Sequence, residues 1–192
     1  MNEDKKWELA HITTAPYMAL ATMLICKGRK SSGNQFRHQC ETRAILIDYG
    51  YINSVLHKAA LTHDLIEDLD NFDKSLLIYA DFEGPAVYDL VLELTRKNDE
   101  TKREYLRRLL ERGSREARLI KCADRISNMK DIGFYSEASF IERYCNETRE
   151  YVLPIAETVD LDMRTELADL IESRMKFLKM LSLLNAEVLV HS

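Results

Sequence analysis

Glycine and proline are scarce in this sequence, with 6 Gly and 3 Pro among 192 residues. Sandwiches and barrels need many turn residues, so the shortage argues against them. The abundance of Leu, Ala, Glu, Arg and Lys argues for helices instead. No segment alternates with period two. Long apolar runs are lacking too, and none reaches the roughly 18 residues that span a bilayer. The opening MNEDKKWELA has no apolar core and no small-residue cleavage site. The expectation is a cytoplasmic protein with no membrane partner. Cys26, Cys40, Cys122 and Cys145 form no CxxC pair. They read as small buried hydrophobes in a reducing compartment, not as a disulfide frame or a zinc knuckle. Basic charge is not in excess either. A net charge of −5 makes general nucleic-acid binding a poor reading, although a local basic patch could still hold phosphates.

What is present is a chain with 46% apolar residues, enough for a packed core. The length suits one domain, and residues 1–192 are read as a single unit. Helical periodicity predicts a first helix over 4–26, with Trp7, Ala10, Ala19 and Met23 on its apolar side. A Gly/Ser/Asn-containing loop follows from Lys27 to Arg37. A helix over 38–49 stops near Gly50, and Asn53 caps the next, which runs through VLHKAALTHDLIEDL. Pro85 suits the first turn of a helix over 85–95. Asp99 and Thr101 precede a helix to Arg112. Ser114 caps another, with Ala117 at its third position, and Gly133 ends it. Helices over 136–157 and 161–186 complete an all-α bundle of eight to ten helices. Met175, Phe177, Leu178, Met180, Leu181, Leu183 and Leu184 make the last one strongly apolar. It is expected to pack on the bundle, with a homo-oligomer contact as the alternative.

Three pieces carry chemistry. His63 and Asp64 are adjacent, and Glu67 and Asp68 each follow one helical turn later. One helix side thus gathers an imidazole and three carboxylates, whose mutual repulsion a cation or nearby bases would relieve. The bland reading is a solvated acidic helix end. Asp124 sits in the apolar LIKCADRISNM and needs a partner, either a metal or a base such as Arg125. His38, alone, is an ordinary surface or capping histidine. Together His38, His63, Asp64 and Asp124 offer two nitrogens and two oxygens, a set that suits Mn, Fe, Zn, Co or Ni without choosing among them. Lys27, Arg29, Lys30 and Arg37 cluster just before His38. A guanidinium there could stack on a purine and neutralise phosphate, or the run could be a solvated face.

These residues resemble the H…HD…D signature of the HD superfamily, and more narrowly the hydrolase domain of RelA/SpoT homologues. RKSSGNQFRH (29–38) resembles the family's RKSGxPYxxHP, HDLIED (63–68) its HDxxED, IKCADRISNM (120–129) its IKLADRLHNM, and ETREYVLPIA (147–156) its ETLEIYAPIA. The likeness spans roughly residues 5–160, with a motif core over 27–157 and an extension over 158–192. Its stand-alone members are small alarmone hydrolases. The resemblance implies an HD-domain bundle and Mn²⁺-dependent removal of the 3′-pyrophosphate from ppGpp or pppGpp, giving GDP or GTP. By position, His38, His63, Asp64 and Asp124 would bind Mn²⁺. Glu67 and Asp68 would position or deprotonate the attacking water. Arg29 would stack on the guanine, Lys30 and Ser31 would lie near base or phosphate, and Asn128 would contact the ribose side.

The likeness has gaps. Both prolines of the PYxxHP segment are absent, Ser127 stands in place of a common His or Tyr, and Asp131 in place of a common Thr. The altered 34–39 segment keeps another nucleotide substrate open: NADPH 2′-phosphate, a nucleoside monophosphate or an adenine alarmone. An antitoxin-type partner of an alarmone synthetase is a further alternative. After the match only one helix remains before Ser192, so hydrolysis without synthesis is expected.

Overall fold

The structure is a computed structural model describing residues 1–29, 33–132 and 137–190, with side chains in the last helix through Leu183. Among the described residues there is no strand beyond an isolated Gly28–Asn34 bridge, and ten α-helices of five residues or more are joined by two single-turn helices. The all-α expectation therefore holds. None of these helices is long and apolar enough to cross a membrane.

The predicted helix over 4–26 is two helices, α1 (Glu3–His11) and α2 (Ala15–Ala21), followed by a 3-10 turn to Leu24. Pro16 lacks an N–H and is tolerated only in a first helical turn, so the chain breaks before it. The break resets the helical phase. Trp7, Ala10, Ala19 and Met23 face solvent, and Tyr17, Ala21 and Leu24 are buried instead. Helix α3 (Gln35–Asp48) starts three residues earlier than predicted, because Asn34 accepts the Arg37 N–H at 3.0 Å and caps it. His38 thus stands on a helix, not at a loop end. The helix ends as expected at Gly50, whose φ of +74° suits glycine. Gly50 N–H donates to Ile47 O and Tyr51 N–H to Leu46 O.

Asn53 caps α4 (Ser54–Thr62) as predicted. That helix does not continue through HDLIED. It stops at His63, and α5 (Leu65–Asp68) is a separate single turn. The single-turn α6 (Ser75–Ile78), absent from the sequence reading, leads to α7 (Gly84–Leu94), with Pro85 in its first turn. A β-carbon on Gly84 would meet Ile78 O at 2.2 Å, so only glycine lets these backbones approach. Thr101 and Glu104 form a capping box on α8 (Lys102–Arg112). Ser114 accepts the Ala117 N–H at the start of α9 (Arg115–Asp131), as the sequence predicted. The stop at Gly133 lies outside the described residues.

The predicted helix over 136–157 is interrupted. Helix α10 (Ala138–Glu147) passes into a π turn over Thr148–Val152 and then α11 (Leu153–Glu157). The wider turn accommodates the N–H that Pro154 lacks. Helix α12 (Leu161–Val190) buries Met163, Leu167 and Ile171 on the bundle. Met175, Phe177 and Leu178 pack partly, while Met180 and Leu183 are exposed. The Leu184 side chain lies outside the described residues. Cys122 and Cys145 are buried as expected, but Cys40 is half-buried and Cys26 exposed.

Helix α9 is the centre of the bundle, with α3, α7 and α12 packed around it. Ten of its 17 residues are buried, as expected of a helix covered on most sides. Two of those ten, Asp124 and Ser127, are polar groups turned toward α3. The core helix therefore carries chemistry into the interior.

Candidate metal centre and its flanking clefts

Three helical segments converge on one point. His38 comes from the second turn of α3, His63 and Asp64 from the break after α4, and Asp124 from the middle of α9. One ligand atom each of His38, His63 and Asp124 lies within 4.8 Å of the others, and all three residues are buried. His38 Nε2 is 3.0 Å from Asp124 Oδ1 and 3.9 Å from Asp64 Oδ2, and His63 Nε2 is 3.4 Å from Asp64 Oδ2. Donors that share one ion at about 2.1 Å stand about 3.0 to 4.2 Å apart, so these separations fit a common ion.

The hydrogen bonds fix which nitrogens face that ion. Ser127 Oγ donates to Glu41 Oε2 at 2.8 Å, so its lone pair accepts from His38 Nδ1 at 2.9 Å. His38 therefore carries its proton on Nδ1 and turns a bare Nε2 toward Asp124. Two acceptors 3.0 Å apart need positive charge between them. His63 Nδ1 donates to Ala60 O at 2.9 Å, which leaves Nε2 bare, buried and without a hydrogen-bond partner. Such an orphan is rare in a folded protein. Backbone and hydroxyl partners that set the tautomer of a ligating histidine are usual around metals. The residues present thus fit a divalent ion of the borderline type.

The carboxylates are held by donors that the sequence did not flag. Gln39 Nε2 donates to Asp64 Oδ2 at 2.9 Å, and Gln35 Nε2 reaches both Asp64 and Asp68. Lys27 Nζ is 2.9 Å from Asp68 Oδ1. Asp124 pairs with Lys121 at 2.6 Å rather than with Arg125, which turns to Glu147 at 2.8 Å. Burial alone would raise the Asp124 carboxyl, but Lys121, the His38 contact and His63 hold it well below the usual carboxylate range. Burial likewise opposes the Lys121 ammonium, yet Asp124 keeps it above the ordinary lysine range. Burial raises the Glu67 carboxyl, although the Arg96 backbone N–H donates to it.

Two clefts flank the cluster. One, of about 310 Å³, is lined by Lys27, Arg29, Asn128, Ile132, Phe140 and Tyr144, with Gln35 and Asp68 at its metal side. The Arg29 guanidinium forks between Asp131 Oδ2 at 2.6 Å and Asn128 Oδ1 at 2.7 Å. Asn128 in turn donates to the Asp124 carbonyl at 3.0 Å. Arg29 and Asn128, distant in sequence, are therefore brought together. Lys30 and Ser31 lie outside the described residues. The other cleft, of about 220 Å³, joins His63, Asp64, Glu67 and Asp124 to Arg96, Lys102 and Lys121. A larger cleft of about 530 Å³, near Arg103, Glu142 and Arg143, contains no histidine. Donor chemistry, not size, singles out the cluster.

Sequence reasoning missed Gln35, Gln39, Lys102 and Lys121. Lys121 had a legible signal: it lies one turn before Asp124 on the same helix face. Gln35 and Gln39 stand at i, i+4 to one another, but nothing in the sequence says which carboxylate they meet.

No family model and no curated protein matches this sequence. Among solved structures, it is similar to that of a metazoan ortholog of SpoT that hydrolyses ppGpp and plays a role in starvation responses. The two share a TM-score of 0.70 at 22% identity, over 84% of this chain and 97% of that one. The chain shares the all-α fold of that protein.

Proposed function

We propose that this protein is a metal-dependent phosphohydrolase of guanine alarmones, removing the 3′-pyrophosphate of ppGpp or pppGpp with Mn²⁺ as the ion. The observation that carries this reading is the pair of bare histidine nitrogens, on His38 and His63, gathered with Asp124 at one buried point, with the half-buried Asp64 carboxylate 3.4 Å from His63 and 3.9 Å from His38. Those four residues would hold the metal. A bound divalent ion would polarise a phosphoryl group and acidify water at the site. Glu67 lines the cleft that opens on the cluster, and its carboxylate can take a proton from the attacking water. Asp68, tied to Lys27 and Gln35, would orient that water. The cleft of Arg29, Asn128, Phe140 and Tyr144 offers a planar cation, an amide and aromatic faces, the chemistry that suits a purine nucleoside. Residues 1–192 would act as one unit. The fold shared with a ppGpp-hydrolysing protein agrees with this substrate class.

A second reading, another nucleotide substrate, is favoured by Gln35, which lines the nucleoside-sized cleft in a segment that departs from the family pattern. The test is incubation of purified protein and Mn²⁺ with ppGpp, NADPH and nucleoside monophosphates, followed by chromatography of the products. GDP with equimolar pyrophosphate is expected. Intact ppGpp beside cleavage of another nucleotide would sink the first reading.

A further inference from the structure

The proposed function puts only the attacking water in the second cleft. Its wall holds three cations, Arg96, Lys102 and Lys121, facing three carboxylates, Asp64, Glu67 and Asp124. Without an ion the charges cancel. A divalent ion on Asp64 and Asp124 leaves the cleft lining with a surplus of two positive charges, of which Glu147, outside the lining, offsets part through Lys102; an anion would compensate the rest. The cations are not equally committed. Lys121 is fixed on Asp124 at 2.6 Å, and Lys102 reaches Glu147 at 2.9 Å with nearly half its side chain exposed. The Arg96 backbone N–H donates to Glu67, and this exposed residue lines the cleft beside the proposed base. Tyr105 and Leu94 close the cleft floor. The cleft has no aromatic stacking partner beyond Tyr105, whose phenol burial pushes up to about 12, so the hydroxyl stays a donor at neutral pH.

From this we infer that the cleft of Arg96, Lys102 and Lys121 is an anion seat for the diphosphate group being released, separate from the nucleoside cleft. Arg96 and Lys102 would bind the oxygens farther from the scissile bond, and Lys121 would orient Asp124 while facing the nearer ones. A paired guanidinium and ammonium suit a diphosphate better than a single phosphate. The inference rests on the proposed phosphohydrolase reading, and it gives each cleft one part of the substrate.

The test uses inorganic pyrophosphate as the probe, titrated calorimetrically into the Mn²⁺-loaded full chain, with GDP titrated separately. Arg96→Ala and Lys102→Ala are each expected to weaken pyrophosphate binding 5- to 50-fold and to change GDP binding less than twofold. Arg96→Lys and Lys102→Arg should recover most of the affinity, which separates lost charge from misfolding. Pyrophosphate binding that is undetectable in the wild type, unchanged in the alanine variants, or lost together with GDP binding overturns the assignment. The proposed function fails separately: if pyrophosphate binding depends on Arg96 and Lys102 but ppGpp is not cleaved, the anion seat stands and the substrate assignment falls.

Discussion

Replacing Ser127 by alanine is a sensitive probe of the metal centre, because Ser127 is no ligand and touches no cleft. Its hydroxyl links Glu41 Oε2 at 2.8 Å to His38 Nδ1 at 2.9 Å. His38 is 2% exposed, so water cannot replace the lost acceptor. A buried donor left without a partner costs about 1 to 3 kcal/mol. The imidazole can escape that cost by moving its proton to Nε2, where it would donate to Asp124 Oδ1, 3.0 Å away. That rearranged tautomer blocks the nitrogen facing the ion. Either route weakens metal binding, and loss of such a supporting partner typically lowers affinity about 10- to 100-fold. The measurement is Mn²⁺ titration against a fluorescent chelator at pH 7.5, with thermal unfolding in EDTA as the control for folding. Ser127→Thr keeps the hydroxyl and should retain most of the affinity. An alanine variant that binds Mn²⁺ within twofold of wild type would refute the assignment of Nε2 as the ligand atom.

Other perturbations read other parts of the structure. His57 is fully buried and both its ring nitrogens lack partners. Burial, aided by the Arg43 charge, depresses its pKa to about 4. The unfolded chain therefore takes a proton below about pH 6.5 that the folded chain refuses until about pH 4. Stability from this group is complete above pH 6.5 and falls by about 3 kcal/mol as the pH drops to 4. Urea unfolding of the metal-free protein should show that loss in the wild type and a flatter profile in His57→Leu; parallel profiles would count against it. Gly84→Ala forces a methyl into the Ile78 carbonyl at 2.2 Å, and should cost about 1 to 3 kcal/mol in chemical denaturation, whereas a neutral result would mean that α6 and α7 separate freely. Glu67→Gln should lower ppGpp turnover by about 10²- to 10⁴-fold with Mn²⁺ content intact, and Asp64→Ala should lose both. If either variant still protects cells from an alarmone synthetase, binding rather than hydrolysis is the mechanism.

The helical content and most helix ends were legible because they are local. Ser114 with Ala117, Thr101 with Glu104, Asn53 and Gly50 each act within a few residues. The misplaced elements share a different cause. Pro16 and Pro154 remove N–H groups inside runs whose apolar periodicity continues, so pattern reading carried the helix through them. The ligands His38, His63, Asp64 and Asp124 were legible as residue types in an ordered set of motifs. Their supports were not. Gln39, Ser127 and Glu41 sit on α3 and α9, whose pairing is tertiary, and no local spacing connects residues 86 apart.

The break at His63 shows why that tertiary step matters for chemistry. On an uninterrupted helix His63 and Asp64 would diverge by about 100°, and both could reach one ion only at a helix edge. The chain instead leaves helical hydrogen bonding after Thr62 and resumes it at Leu65. His63 can then turn Nε2 inward while Nδ1 bonds back to Ala60 O at 2.9 Å, and Asp64 approaches from the other side, held by Gln39. The restarted single turn then separates its own pair. Glu67 and Asp68 are adjacent, so they too diverge by about 100°: Glu67 lines the cleft with Arg96 and Lys121, and Asp68 the cleft with Arg29 and Phe140. A regular helix through HDLIED would have placed these carboxylates relative to the imidazole by a fixed rotation. His63 keeps helical dihedrals and Asp64 is only loosened, to φ −98° and ψ −3°, so the two-residue interruption adjusts that rotation, and one short segment supplies two residues to the cluster and one carboxylate to each cleft.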